Sequence, residues 1–160
     1  MKALPMKVAL VAGALALGAP TAVFAEAVPF AGFAGSWVGG GTVAMSDGSS
    51  ERLRCKANYA VDEGGRSVQQ TLRCASDSYR FDISSAVTSR DGNISGTWSE
   101  SNRNVNGNLE GRAGAGQLTA QVQAAGFVAN LHMTTRGSRQ SVSISSPGEF
   151  RNVSVNLVRG

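Results

Sequence analysis

From residue 53 onward, apolar and polar residues alternate, and the apolar set switches between odd and even numbers at each bend. Alternation with period two marks a strand buried on one face. Leu53, Cys55, Ala57, Tyr59 and Val61 share one face, with Arg52, Arg54, Lys56 and Asn58 on the other. Val68, Leu72 and Cys74 follow on even numbers, then Tyr79, Phe81, Ile83 and Val87 on odd ones. The switch continues through Ile94-Gly96-Trp98, Val105-Gly107-Leu109, Leu118-Ala120-Val122, Phe127 to Met133, Val142-Ile144 and Val153-Val155-Leu157. Hairpin loops of even length require this, because a one-residue slip turns a strand over. Nine successive strands obey it, while the glycines of a first strand near Trp37–Met45 leave its inward face undecided.

Turn signals separate the runs at Asp47-Gly48, Gly64-Gly65, Asp91-Gly92, Asn102, Gly114, Gly126, Gly137 and Pro147-Gly148. Their spacing of about 10–12 residues suits an all-β meander rather than alternating strands and helices. A weak helical option remains near residues 113–125. The expected fold is an antiparallel up-and-down meander closing into a barrel of about 8–10 strands, with a two-layer sandwich of the same strand order as the alternative.

Residues 1–25 read as a secretory signal peptide: Lys2 and Lys7, the apolar run Val8–Gly18, then Val23-Phe24-Ala25 before the cut. The run is shorter than the roughly 20 residues a spanning helix needs. Residues 26–34 form an N-terminal segment and 35–160 the barrel, and the expected location is periplasmic or secreted. Loss of Lys2 and Lys7 lowers the basic count from 15 to 13 against 11 acidic residues, leaving a net charge of +2. Twelve of those 13 are arginine and form no run, so the chain lacks a nucleic-acid footprint.

The cysteines test the register. A hairpin centred on Gly64-Gly65 sets Cys55 directly opposite Cys74, about 4.5–5.5 Å apart between Cα atoms. Export supplies the oxidising compartment, so a disulfide is expected. The same arithmetic, with a hairpin centred near Ser101-Asn102, aligns Gly96, Gly107, Ala120 and Ala129 in one inward row. Such a row leaves either a ligand cavity or a slot filled by side chains from the far wall. Candidate lining residues are Tyr59, Phe81, Trp98 and Phe127, with Trp37 at one end.

On the outer face, Arg52, Arg54, Lys56 and Arg73 form a basic patch, with Arg73 opposite Lys56 and Asp77 opposite Arg52. It is either a solvated edge that discourages aggregation or a contact for an anionic partner. His132 faces outward without a second histidine, and no Gly-x-Ser-x-Gly elbow exists. Asp82, Glu100 and Glu110 are placed on the outer face, where no cleft shifts their pKa values. The chain is therefore expected not to be an enzyme and to need no metal or cofactor. An outer-membrane barrel turns its apolar residues toward lipid. Here Gln117, Thr119, Gln121 and Gln123 oppose the apolar face, so the barrel is expected not to be an integral membrane protein.

Gly35-Ser36-Trp37, opening the first strand, resembles the Gly-x-Trp start of calycin-type barrels, which include lipocalins, avidins and small bacterial metalloprotease inhibitors. The resemblance implies that Trp37 plugs one end of the barrel and that a late arginine, Arg151 or Arg159, packs over it. Gly96-Thr97-Trp98 repeats the motif, somewhat as in avidins, but no biotin contacts map onto this chain. The inhibitors share one disulfide between early strands, and their N-terminal segment reaches into the protease; Glu26-Ala27-Val28-Pro29-Phe30 holds that position here. The expected function is an exported, non-catalytic envelope protein binding a small apolar ligand. The alternative is a protein-interaction or inhibitor-like module acting through its surface and N-terminal segment. Nothing in the pattern sets an oligomeric state.

Overall fold

A computed structural model describes residues 28–160. The expected signal peptide and residues 26 and 27 lie outside the described residues. Ten antiparallel strands form one closed barrel, which settles the choice against a sandwich. They are β1 (Gly35–Met45), β2 (Ser50–Val61), β3 (Ser67–Ala75), β4 (Arg80–Arg90) and β5 (Asn93–Glu100), then β6 (Val105–Gly114), β7 (Gln117–Ala124), β8 (Phe127–Arg136), β9 (Arg139–Ser145) and β10 (Phe150–Arg159). Each strand pairs with its neighbour in sequence, and β1 pairs with β10 to close the ring.

Burial follows the parity of the sequence. In β2, Leu53, Cys55, Ala57 and Tyr59 are buried while Arg52, Arg54, Lys56 and Asn58 are exposed. In β7, Leu118 and Ala120 are buried between exposed Gln117, Thr119 and Gln121. The first strand resolves onto odd numbers, with Trp37, Val43 and Met45 inside. β1 and β2 thus share one parity, which demands an odd offset in their connection. The Met45–Ser49 turn supplies it: Met45 N–H donates to the Ser49 carbonyl at 2.8 Å, and Gly48 takes a φ of 89°. Asp47 Oδ1 accepts from the Ser49 N–H at 2.8 Å and stiffens the bend.

The closing seam depends on glycine. A Cβ at Gly39 or Gly41 would overlap the carbonyl oxygens of Asn156 and Ser154 on β10. These glycines let the two backbones approach closely where the barrel shuts.

Cys55 pairs with Cys74 across β2 and β3 and forms the disulfide, as the hairpin arithmetic requires. Other registers differ from expectation. The β5–β6 turn spans four residues, Ser101 to Asn104, with Asn104 at φ 52°. Gly96 therefore faces Leu109, and Gly107 faces Trp98. The β6–β7 turn falls at Ala115-Gly116, both with positive φ, rather than at Gly114. Ala120 faces Gly111 and Leu131, and Ala129 faces Val122. The expected row of four small residues is replaced by alternation of small with large ones. Residues 113–125 form strand and turn, not helix. On β2, pairing with β3 ends at Arg54–Ala75, so Asp77 lies in a turn and not opposite Arg52.

Candidate functional site: a floored barrel with an apolar cup

One end of the barrel is packed shut. Trp37 and Phe30 are fully buried there and Phe33 nearly so. Phe30, Phe33 and Tyr59 meet edge to face, with ring centroids 5.7 and 5.6 Å apart along the chain, and Trp37 lies 6.4 Å from Tyr59. Aromatic pairs favour such geometry. Trp37 Nε1 donates to the Phe33 carbonyl at 2.7 Å, so the indole proton is satisfied. The Arg159 guanidinium stacks over the indole, 4.5 Å from the ring centroid. It also donates to the carbonyls of Gly32, at 2.6 Å, and Ala34. This is the arrangement that the calycin resemblance implies, with Arg159 rather than Arg151 in the role.

Beside this floor, the Tyr59 hydroxyl donates to Gln140 Oε1 at 2.7 Å, and Gln140 Nε2 donates to Thr135 Oγ1 at 2.9 Å. Burial raises the Tyr59 pKa well above the ordinary phenol value, outweighing its hydrogen bonds to Gln140 and Gln70, so the ring stays neutral. Phe30 also settles the N-terminal segment from residue 28: its N–H donates to the Gly65 carbonyl at 3.1 Å and its ring lies inside the plug. Phe30 is thus not displayed for insertion into a protease.

The opposite half is different. Inward-facing Leu72, Phe81, Ile83, Trp98, Val105, Val122, Phe127, Leu131, Val142, Ile144 and Val153 are each only half-buried. By contrast, Val68, Val87, Ile94, Leu118, Met133 and Leu157, toward the floor, are buried. The incompletely covered inner apolar wall of β4–β10 toward the end away from Trp37 thus has the form of an apolar cup. Two aromatic groups rim it. Tyr79 and Phe81 each sit 5.1 Å from Phe150, and Trp98 lies 5.8 Å from Phe127. The Trp98 ring reaches across β6, where Gly107 has no side chain, and donates from Nε1 to the Gln123 carbonyl at 3.2 Å. Partway down the inner wall, Ser85 Oγ donates to Gln70 Oε1 at 2.8 Å, a polar spot facing the apolar side.

Of the five expected lining residues, Phe81, Trp98 and Phe127 belong to the cup. Trp37 and Tyr59 belong to its floor, with their polar atoms bonded to the protein. Arg52, Arg54, Lys56 and Arg73 are all exposed on the outer face. Lys56 does face Arg73, but Asp82 stands on the other side of Arg73 and accepts from its Nε at 3.2 Å.

Glu100 corrects the expected outer acidic group. It faces inward on β5 and is 5% exposed, while Asp82 and Glu110 face outward. Its carboxylate accepts five N–H bonds: Asp82 N at 3.0 Å, Asn102 N at 3.2 Å and Asn102 Nδ2 at 3.0 Å on Oε1, and Arg103 N at 2.8 Å and Arg103 Nη1 at 3.5 Å on Oε2. Burial pushes its pKa up, but these bonds outweigh burial and hold it below the usual carboxylate range.

A shallow trough of about 980 Å³ also runs along β3–β7, lined by exposed Gln69, Thr71, Thr97 and Asn108 and by Trp98 and Ala124. Its lining mixes polar side chains with Trp98 and alanines, so an apolar ligand would leave polar groups to be desolvated there. The cup, whose apolar walls converge, is the better candidate.

No protein-family model matches the chain, and no curated protein matches it. The closed antiparallel barrel is a fold that the chain shares with solved structures. The chain is similar to Rv2717c from M. tuberculosis, at 11% identity and a TM-score of 0.66, over 81% of this chain and 94% of that one. It is also similar to the S-type phycobiliprotein lyase CPES from Guillardia theta, at 11% identity and a TM-score of 0.56, over 82% of this chain and 90% of that one. The second likeness corrects the expectation that the chain is not an enzyme. A barrel of this shape serves in a protein named as a lyase, so the lack of a nucleophile triad does not argue against chemistry. A cup can act by orienting what it holds.

Arg103, Phe150, Phe33 and Gln140 are the site residues that the sequence reading missed. Gln140 and Glu100 could have been found, because each occupies an inward parity position on its strand.

Proposed function

We propose that this chain is an exported barrel that takes a small apolar ligand through the mouth opposite Trp37. One observation supports the reading above all: along β4–β10 the larger inner apolar side chains are buried near the floor and only half-buried near the mouth, whereas Met45, Leu53 and Cys74 on β1–β3 are buried. An apolar guest would cover that surface, gaining about 25 cal/mol for each Å² removed from water. Ligand binding in a barrel also agrees with the lyase neighbour's fold. Export follows from the N-terminal pattern of Lys2, Lys7 and the Val8–Gly18 run. Protein recovered from the periplasm should begin at Glu26, and an uncut chain in the cytoplasm would refute that part.

The neutral dye N-phenyl-1-naphthylamine tests the cup. Wild-type protein should enhance its emission at saturable, single-site stoichiometry. Ile144→Arg places a cation on the half-buried wall and should abolish the signal, while Thr119→Arg on the exposed outer face should not. Equal binding by both variants would overturn the proposal.

A further inference from the structure

The mouth of the cup carries a cation that the fold leaves partly unused. Arg103 stands in the β5–β6 turn, and its guanidinium carbon lies 4.9 Å from the Phe81 ring centroid and 5.1 Å from that of Phe150. Nη1 donates to the Arg80 carbonyl at 3.1 Å and lies 3.5 Å from Glu100 Oε2. Nε and Nη2 make no hydrogen bond among the described residues. Those two nitrogens form the side-on edge that an anionic oxygen pair grips with parallel bonds. Nη1 forms an ion pair with Glu100 Oε2, which offsets part of the charge, while the Nε–Nη2 edge stays without a hydrogen bond among the described residues. Two ring faces fix the guanidinium plane and partly strip its water, which strengthens an ion pair made there. Arg103 is 36% exposed, so the edge is reachable from solvent.

We propose that the ligand is amphipathic: its apolar body fills the cup, and a carboxylate or similar anionic head is held at the mouth by the Nε–Nη2 edge of Arg103. This rests on the cup being the binding site and adds the chemistry of the head. Two elements position the cation. β4 supplies Phe81 and the Arg80 carbonyl, and the start of β10 supplies Phe150. Both rings line the cup side of the rim, so an anion gripped there has its tail directed inward.

Laurate and dodecanol share a tail and differ in charge, so displacement of N-phenyl-1-naphthylamine by each isolates the head. Wild-type protein should prefer laurate by about tenfold, and that preference should shrink with added salt. Arg103→Gln should bring the two affinities together by weakening laurate alone, and Arg103→Lys should keep part of the preference. The wild-type salt series tests the same point if the glutamine variant does not fold. Equal affinities in wild type, or a laurate preference that survives Arg103→Gln, would overturn the anionic head while leaving the cup intact. Failure of the dye and of both competitors to bind would overturn the cup and the head together.

Discussion

Replacing Glu100 by glutamine tests whether a buried carboxylate holds the β5–β6 turn. The side chain keeps its size and loses its charge. Three N–H donors converge on Oε1 and two, Arg103 N and Arg103 Nη1, on Oε2. A glutamine oxygen can replace Oε1, turning three charge-assisted bonds into neutral ones. Its NH₂ group must then face the Arg103 N–H as donor against donor at about the 2.8 Å now spanned by a hydrogen bond. The bonds lost at Oε2 and the three weakened ones come to about 3 kcal/mol. For a domain of this length that is a fall of roughly 10 °C in Tm. The pH dependence follows from the lowered pKa. A carboxyl depressed below its unfolded value of 4.5 stabilises the fold above that pH, and the contribution is lost as pH falls through the folded value. Urea midpoints of wild type and Glu100→Gln should therefore differ most at pH 7 and converge below about pH 4.5. A gap that stays constant from pH 7 to pH 3 would show that the charge is not what secures the turn.

The other expectations concern the floor, the staple and the glycine seat of Trp98. Arg159→Met removes the two carbonyl bonds and the stacking over Trp37; it should cost about 2 kcal/mol and speed amide exchange of Phe30 and Phe33, and unchanged exchange would speak against Arg159 as the clamp. Cys55→Ser with Cys74→Ser opens a loop of sequence separation 19 and should lower stability by about 3 kcal/mol, read from urea unfolding under oxidising conditions. Gly107→Ala sets a methyl against the Gln123 carbonyl, beneath the Trp98 ring; in a Trp37→Phe background, where Trp98 is the remaining indole, its emission should shift on adding that change. An unshifted spectrum would mean that the ring does not rest on the glycine.

The strands were legible because each obeys a local rule whose violation is costly. Moving Leu53, Cys55, Ala57 and Tyr59 by one position would drive Arg52, Arg54 and Lys56 into the core. Exact pairing was legible where glycines mark the centre of the turn, as at Gly64-Gly65 for Cys55 and Cys74. At Ser101–Asn104 the turn has four residues and no glycine, and its length is set by Glu100 collecting backbone N–H groups and by Asn104 accepting a positive φ. Misplacing its centre by one residue shifts every pair across β5 and β6 by two positions, which keeps the inward face but changes every partner. That error, with separate ones at the β6–β7 and β7–β8 turns, produced the expected row of Gly96, Gly107, Ala120 and Ala129, which the barrel does not contain.

The floor and the mouth differ in legibility for a related reason. The Trp37–Arg159 pair joins the first strand to the last, and a resemblance in three residues was enough to place it because closure of a barrel forces β1 against β10. The mouth draws Phe81 from β4, Arg103 from a turn and Phe150 from the start of β10, where no periodicity relates them. Phe150 sits on an even number in a strand whose inward residues are odd, and the bulge between Ala44 and Met45 is what brings it opposite Met45. A bulge adds a residue without changing the pattern on either side, so parity alone would turn Phe150 outward. The cluster that rims the cup thus exists because the closing seam breaks the rule that builds the rest of the barrel. Ser154 and Gly41 keep the rule and lie in regular register; Phe150 breaks it and faces Tyr79 and Phe81.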